Sequence, residues 1–509
     1  MFKKMKRETD SSNSNSNNNQ INIGEKIGSD ILRNRLSGSE DIVFNSININ
    51  SDKDLNVTVI YIDGMVNSQL IDNFVLKPLI QEEPLGKSRT EKDLIDNIMQ
   101  GTVYHDLRKL REKVSDCLND ILSGSVAIVF DKSGVAVTFE VKGFEKRSLS
   151  EPTNENVLKG SKESFIEVLR VNTAIVRRRI QTSDLKMSHL VVGQRTRTAV
   201  AVVYLDGVAN KNTVDLIKQR IKKINIDGIS AAGEIEAFLL DNESSFFPQI
   251  LYTERVDKFC GNILEGRVGV MIDGIPFAYI LPVDISCFLQ APEDYSLNYI
   301  ASSAIRILRY LCVFSALILP SFYVSITTFH REMIPTKLAI SIISSKQGVP
   351  FPTYMEVLLM LLAFEVLQEA GLRLPKSIGQ TVSIVGALVV GQAAISASLL
   401  SPGVVIVIAT AGITGYVIPS QDMSNAVRLC RLLLVFASIF GGLFTVTIGL
   451  IGILYHLCSL EIFGVPYMSP YVANEGKQMF GDTVIRRPWF KDKFRPSNIS
   501  PEDIKRSGD

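Results

Sequence analysis

Beyond residue 300 the chain is dominated by long apolar stretches, and these restrict its fold more than any other feature. Ile305–Phe329 is apolar except for Arg306 and Arg309 at its start. At 1.5 Å per residue it is long enough to span a hydrocarbon core of about 30 Å. Tyr354–Arg373, Ile378–Leu400 and Gly403–Ile418 follow as further candidate spans, the last of them short. Arg428–Phe463 is one apolar stretch, too long for a single untilted span and too short for two comfortable spans with a turn. The positive mean hydropathy of +0.18 therefore reflects the second half of the chain rather than an unusually apolar globule.

The first half reads differently. Residues 1–50 are rich in Ser, Asn and charge, which predicts a disordered tail. The basic start has no apolar run behind it, so it is not a signal peptide, and the first region is expected in the cytoplasm. "NVTVIYIDGMVN" (Asn56–Asn67) resembles "TAVAVVYLDGVAN" (Thr198–Asn210), and "GSVAIVFDKSG" (Gly124–Gly134) resembles "GRVGVMIDGIP" (Gly266–Pro276). The two matches come in the same order at nearly the same offset. That pattern predicts tandem, similar α/β subdomains over 51–150 and 197–291, joined by a helical linker over 151–196. An Asp-Gly pair after a strand is ordinary turn chemistry and carries no catalysis. The expected fold is thus an α/β cytoplasmic region of two tandem subdomains, then an all-α polytopic membrane domain over 292–464 with about 5–6 spans, and a polar, basic tail over 465–509.

Several function classes drop out. A net charge of +1 gives no bias toward nucleic acid. The six cysteines lack C-x-x-C spacing and read as small buried hydrophobes, so neither a metal site nor a disulfide framework is expected. The P-loop, dinucleotide-binding, G-x-S-x-G and H-E-x-x-H patterns are all missing, which argues against catalysis and against a cofactor. Arg177, Arg178 and Arg179 close a helical segment. They either compensate its dipole or contact lipid headgroups or a neighbouring subunit.

The polar residues of the apolar half narrow the question. In "LLMLLAFEVLQEAGLRLPKSIGQ" (Leu358–Gln380), Glu365, Gln368, Glu369 and Arg373 share one helical face, while Glu356 points the opposite way. Glu369 and Arg373 have the spacing of an interfacial ion pair. Glu365 lies about 15 Å deeper, near the midplane of a ~30 Å core. An ionised group there costs at least ~2.5 kcal/mol, so it needs protein, water or a counter-charge. Glu365, Gln368 and Gln392 are therefore the candidate ion-path or gating residues. Ala387, Gly391, Ala393 and Ala397 form rows of small residues for close helix packing, and Pro320 predicts a kink. Basic residues place the start of the first span inside, but an odd number of spans would leave the basic tail outside. Parity stays open between a double crossing by Arg428–Phe463 and a re-entrant segment elsewhere.

"PSFYVSITTFHREMIPTKL" (Pro320–Leu338), the run from Gly348 to Ala394, "IPSQDMSNAVRLCRLLL" (Ile418–Leu434) and "FGVPYMSPY" (Phe463–Tyr471) resemble the A subunit of GerA-type spore germination receptors. "RVNTAIVRRRI" (Arg170–Ile180), "VYLDGVAN" (Val203–Asn210) and "APEDY" (Ala291–Tyr295) extend the resemblance into the first half. It implies a multi-pass protein of the spore inner membrane, in contact with membrane lipids. It further implies a complex with a transporter-like B subunit, to which nutrient binding falls, and a lipoprotein C subunit. The A subunit would then be a homo-oligomeric, ring-forming cation channel that starts germination by releasing ions. Two alternatives remain from the residues themselves: a secondary transporter using Glu365 as a carboxylate relay, and a non-conducting scaffold for signalling.

Overall fold

The β-branched runs Val57–Ile62 and Ala199–Leu205 are interior strands of two separate antiparallel sheets. The computed structural model describes residues 26–49, 55–81, 90–101, 108–141, 143, 152, 155, 157, 159–373, 391–472, 482–491, 493–496, 499 and 501–506. The chain divides into two compact units. The first comprises residues 1–37, 41–145 and 181–183, and the second the remainder.

The first unit begins with helix α1 (Ser29–Arg35) and strands β1 (Ile42–Asn48) and β2 (Asn56–Ile62). Helix α2 (Glu91–Gln100), β3 (Arg108–Arg111), α3 (Val114–Leu122), β4 (Val126–Phe130) and β5 (Val135–Phe139) follow. The sheet order is β1-β2-β4-β5-β3. The second unit opens with α4 (Leu169–Arg179), β6 (Leu185–Val192) and β7 (Thr198–Leu205). It continues with α5 (Lys211–Lys223), α6 (Ala232–Leu239), β8 (Leu251–Thr253), α7 (Val256–Leu264), β9 (Val268–Ile272) and β10 (Ala278–Leu281). Its sheet order, β6-β7-β9-β10-β8, matches the first strand for strand.

The matching sequence motifs occupy equivalent places, and their polar residues fasten equivalent helices. Asp131, in the β4–β5 turn, accepts from the Ser29 backbone N–H at 2.6 Å at the start of α1. Asp273, in the β9–β10 turn, accepts from the Leu169 N–H at 3.0 Å at the start of α4. Asn67 and Asn210 each cap the helix that follows the second strand. A Cβ on Gly269 would lie 2.1 Å from Phe259 Cζ, so this glycine lets α7 close onto β9. Two sequence expectations change here. Within the expected disordered tail, residues 29–48 form α1 and β1, because Ile42, Val43 and Phe44 pair in register with β2 despite the Ser/Asn-rich surroundings. The expected helical linker contains β6, an edge strand of the second sheet.

The second unit then turns helical: α8 (Tyr299–Thr328), α9 (Thr336–Ser345), α10 (Thr353–Arg373), α11 (Pro402–Gly415) and α12 (Gln421–Ser459). Among the described residues two helices, α8 and α12, are long and apolar enough to cross a membrane by length and composition, fewer than the about 5–6 spans expected. The acidic residues of α10 and the shortness of α11 set those two apart. Helix α8 contains Pro320, the position of the expected kink, in its interior.

Helix α12 is not straight. Gly441 (φ −153°, ψ 21°) and Gly442 (φ 59°, ψ −135°) leave helical geometry. The Thr445 hydroxyl donates to Ala437 O at 2.6 Å across this break. A Cβ on Gly449 would stand 2.7 Å from Leu434 Cδ2, although fifteen residues of straight helix would separate the two by ~22 Å. The chain therefore reverses, and α12 is a hairpin of two arms. Its tip lies at the end of α8, where Gly442 meets Phe329 and His330. Both of its ends return to the second sheet: Met423 and Leu457 join the sheet's core, and the His456 ring bonds Ser245 Oγ at 2.9 Å. The basic tail is docked on the same unit. Arg495 Nε donates to Leu264 O at 3.0 Å, and Glu502 N donates to Val208 O at 2.9 Å.

Gly442 occupies a backbone quadrant that is nearly closed to other residues. Gly442→Val is expected to destabilise the detergent-solubilised protein by at least ~1 kcal/mol. Gly452→Val, with no atom within 4 Å of its added Cβ, should stay within ~0.5 kcal/mol in the same thermal melt.

Candidate functional site

Helix α10 carries Glu365 on its central turns, and the first arm of α12 brings Arg428 and Arg431 to it. Spaced three apart, the arginines share one helix face. Arg431 Nη2 donates to Glu365 Oε1 at 2.9 Å, and Arg428 Nη1 reaches Oε2 at 3.5 Å. Arg431 is 3% exposed, whereas Glu365 keeps 40% of its side-chain surface open. The carboxylate is thus held between two guanidiniums. Gln368, one turn on, has a buried Oε1 with no hydrogen-bond partner among the described residues. Arg373 donates to Glu369 Oε1 at 2.7 and 2.9 Å, with both side chains well exposed. Gln392, Ala393 and Ala397 are exposed; Gly391 is buried, 3.8 Å from Val405 Cγ1 at its Cβ position. Ala387 lies outside the described residues.

A second ionic cluster joins α8 to the sheet that precedes it. Asp294, in the short helix Glu293–Ser296, is buried. It accepts from Arg306 Nε at 3.0 Å and from Arg309 Nη1 and Nη2 at 2.9 and 3.1 Å. Arg306 Nη1 also reaches Asp482 O and Oδ1 at 2.7 and 3.0 Å. The guanidiniums of Arg306 and Arg486 each sit 5.3 Å from the Tyr295 ring centre, and the Tyr295 hydroxyl donates to Asp482 Oδ2 at 2.8 Å. Burial alone would raise the Asp294 pKa. The hydrogen bonds and charges of Arg309 and Arg306 outweigh it and hold the carboxyl below the usual range. In the sequence these arginines look like flanking charges of a span, and only the fold shows that they are buried.

The Arg177–Arg179 triplet is engaged within its own unit. Arg177 is fully buried and donates to Leu185 O at 2.9 Å. Arg178 and Arg179 both pair with Glu163, the latter at 2.9 Å, and Arg179 also meets the Ser161 hydroxyl. Of the cysteines expected to be buried, Cys458 is exposed, on the second arm of α12. At the foot of that hairpin Glu236 of α6 faces Asp422. Burial and then the Asp422 charge push the Glu236 pKa up to about 7.

Comparison with known proteins then gives a family. The profile of the Bacillus/Clostridium GerA spore germination protein matches residues 30–498. The chain is 38% identical over 466 residues to the uncharacterized membrane protein YfkQ of Bacillus subtilis (strain 168), covering 91% of this chain and 89% of that protein. It is 37% identical over 476 residues to spore germination protein KA of the same organism, covering 94% and 87%. It is 33% identical over 432 residues to spore germination protein A1, again from that organism, covering 84% and 87%. Among solved structures, the N-terminal domain of the A subunit of the Bacillus megaterium spore germinant receptor GerK3 is similar at 28% identity and a TM-score of 0.40, over 49% of this chain and 91% of that one.

Two measurements follow from the geometry. Glu365→Ala leaves the enclosed Arg431 without its partner. It should cost about 1–3 kcal/mol in a thermal melt, the partial exposure of Glu365 reducing the loss expected of a fully buried pair. Glu369→Ala, at an exposed pair, should cost under ~1 kcal/mol. For Glu236, the folded chain keeps its proton up to about pH 7, whereas the ordinary value is 4.5. The folded state therefore binds more protons between those values, and its stability falls as pH rises through that window. Glu236→Gln should abolish this component and be the more stable protein at pH 8.

Proposed function

The chain belongs to the family of Bacillus/Clostridium GerA spore germination proteins, and from that membership we propose that it is the A subunit of a nutrient-germinant receptor that triggers germination as an oligomeric cation-release channel. The partners in this reading are a transporter-like B subunit, a lipoprotein C subunit and further copies of the chain, in the spore inner membrane with the sheet units in the cytoplasm. The two arms of α12 each cross in this reading, and an even number of crossings in all suits a C-terminal segment that docks on the same unit from which α8 departs.

The observation that carries the gating role is the Glu365 carboxylate shared between Arg431 and Arg428. A charge pair inside an apolar bundle is a two-state element, since it is either closed or must be rehydrated. The closed state keeps α10 locked to α12. Nutrient binding elsewhere in the complex favours the open state by making better contacts with it, which frees Glu365 for a hydrated cation path. The same full pairing of Glu365 is also what a scaffold with an inert bundle requires.

Reconstitution in liposomes tests this. Glu365→Gln should raise passive Rb+ or K+ flux several-fold over wild type, because the closed state loses its charge pair. Solute-coupled or proton-coupled uptake would instead identify a transporter. No flux from any oligomer, with germination intact in spores carrying Glu365→Gln, would leave the scaffold.

A further inference from the structure

Helix α10 holds a second carboxylate that is more enclosed than Glu365. Glu356, in its first turn, is fully buried. Its Oε2 accepts from the Ser401 backbone N–H at 2.7 Å, immediately ahead of α11. Its Oε1 is in an ion pair with Lys346 Nζ at 3.2 Å but accepts no aligned hydrogen bond among the described residues. That ammonium also donates to the Thr353 hydroxyl. The Ser401 hydroxyl is also fully buried and faces the Tyr323 hydroxyl. Tyr323 of α8 reaches the same turn, its hydroxyl 2.6 Å from where a Cβ would stand on Gly403.

Buried oxygens left without donors are costly, by about 1–3 kcal/mol each, more for a charged group. Here one buried carboxylate oxygen is answered by a single ammonium, with the hydroxyls of Ser401, Thr353 and Tyr323 gathered around them. The positive ends of α10 and α11 both favour the anion. Lys346 ends α9, a helix with no buried residue, and its side chain is 24% exposed. Withdrawing Lys346 would uncover little apolar surface and leave an oxygen-lined pocket with a single negative charge.

We propose that Glu356 and Ser401, with Thr353 and Tyr323, form a binding site for a monovalent alkali cation, for which the Lys346 ammonium is a tethered, displaceable competitor. Hard cations take oxygen ligands, and one carboxylate among neutral oxygens matches one charge; calcium sites gather more carboxylates and carbonyls. The site lies where α10 and α11 begin. A role in loading the cation path rests on the channel reading above, whereas the binding site rests on the geometry alone.

The test uses the full chain in nanodiscs, with radiolabelled Rb+ binding and thermal melts in KCl, CaCl2 or choline chloride. Lys346→Gln should bind Rb+ at least ~ten-fold more tightly than wild type, with K+ competing. It should also melt higher in KCl than in choline chloride. Adding Glu356→Gln to that variant should remove both effects. Lys346→Arg keeps a tethered cation and should behave as wild type, which controls for folding. No K+-dependent binding or melting shift in a folded Lys346→Gln protein overturns the site, as does an equal response that survives the loss of Glu356 or a preference for Ca2+. Flux in matching liposomes separates the two proposals. Binding without flux upholds the site and removes the channel reading; flux without binding overturns the site and leaves the channel.

Discussion

Asp294 accepts hydrogen bonds from Arg306 and Arg309 in a place from which water is excluded, and the second unit is organised around that sharing. Removing three charged groups from water costs several kcal/mol per ion, and only close, multiple hydrogen bonds recover it. The cluster therefore tolerates little displacement. Arg306 extends it to Asp482, and Arg486 extends it to the carbonyls of Tyr295 and Leu297. The segment before α8, the first turns of α8 and the C-terminal segment are thus one mechanical piece. A motion of the sheet that shifted Asp294 would be transmitted to α8, and so to whatever packs along it.

Along α8 packs the α12 hairpin, whose reversal depends on two consecutive glycines. Its tip meets the far end of α8, and its two feet enter the core of the second sheet. The sheet consequently holds the bundle at three places: the start of α8 and both ends of α12. Glu365 is bonded to the first arm of that hairpin, well above its foot. The contact proposed as a gate therefore lies on an element whose base is fixed and whose middle meets α10 through this charge pair, beside the apolar cluster that holds Val357, Met360, Leu361 and Val435.

What can be read in the sequence is what repeats or what has a periodicity of its own. The internal repeat is visible because its Asp and Asn residues cap helices, and capping tolerates few residue types. Strands β1 and β6 escape such a reading because edge strands with one solvated face carry many polar residues, which in β1 merge with a Ser/Asn-rich context. The depth of Glu365 can be counted along its own helix. Its partners cannot, since Arg428 and Arg431 come from another helix more than sixty positions away. A helical wheel reports one helix's faces only. It sets Glu356 aside for pointing away from the polar face, when that direction is where α11 and Lys346 meet it.

The two carboxylates of α10 differ most in the cation that answers them. Arg431 presents a planar, almost fully enclosed guanidinium, which is weakly hydrated and does not exchange readily with a bare ion. Lys346 presents a compact, strongly hydrated point charge on a flexible stem, the side chain most like an alkali ion in charge and coordination. It is carried by a helix that buries nothing. A fold that required only neutralisation at Glu356 would gain more from aligned hydrogen bonds to both carboxylate oxygens, and among the described residues one of them has only the ammonium at 3.2 Å. The arginine pair suits a contact that is either made or broken, and the lysine pair suits a contact that can be substituted. On one helix, then, the chemistry divides between holding the bundle closed and admitting an ion at its end.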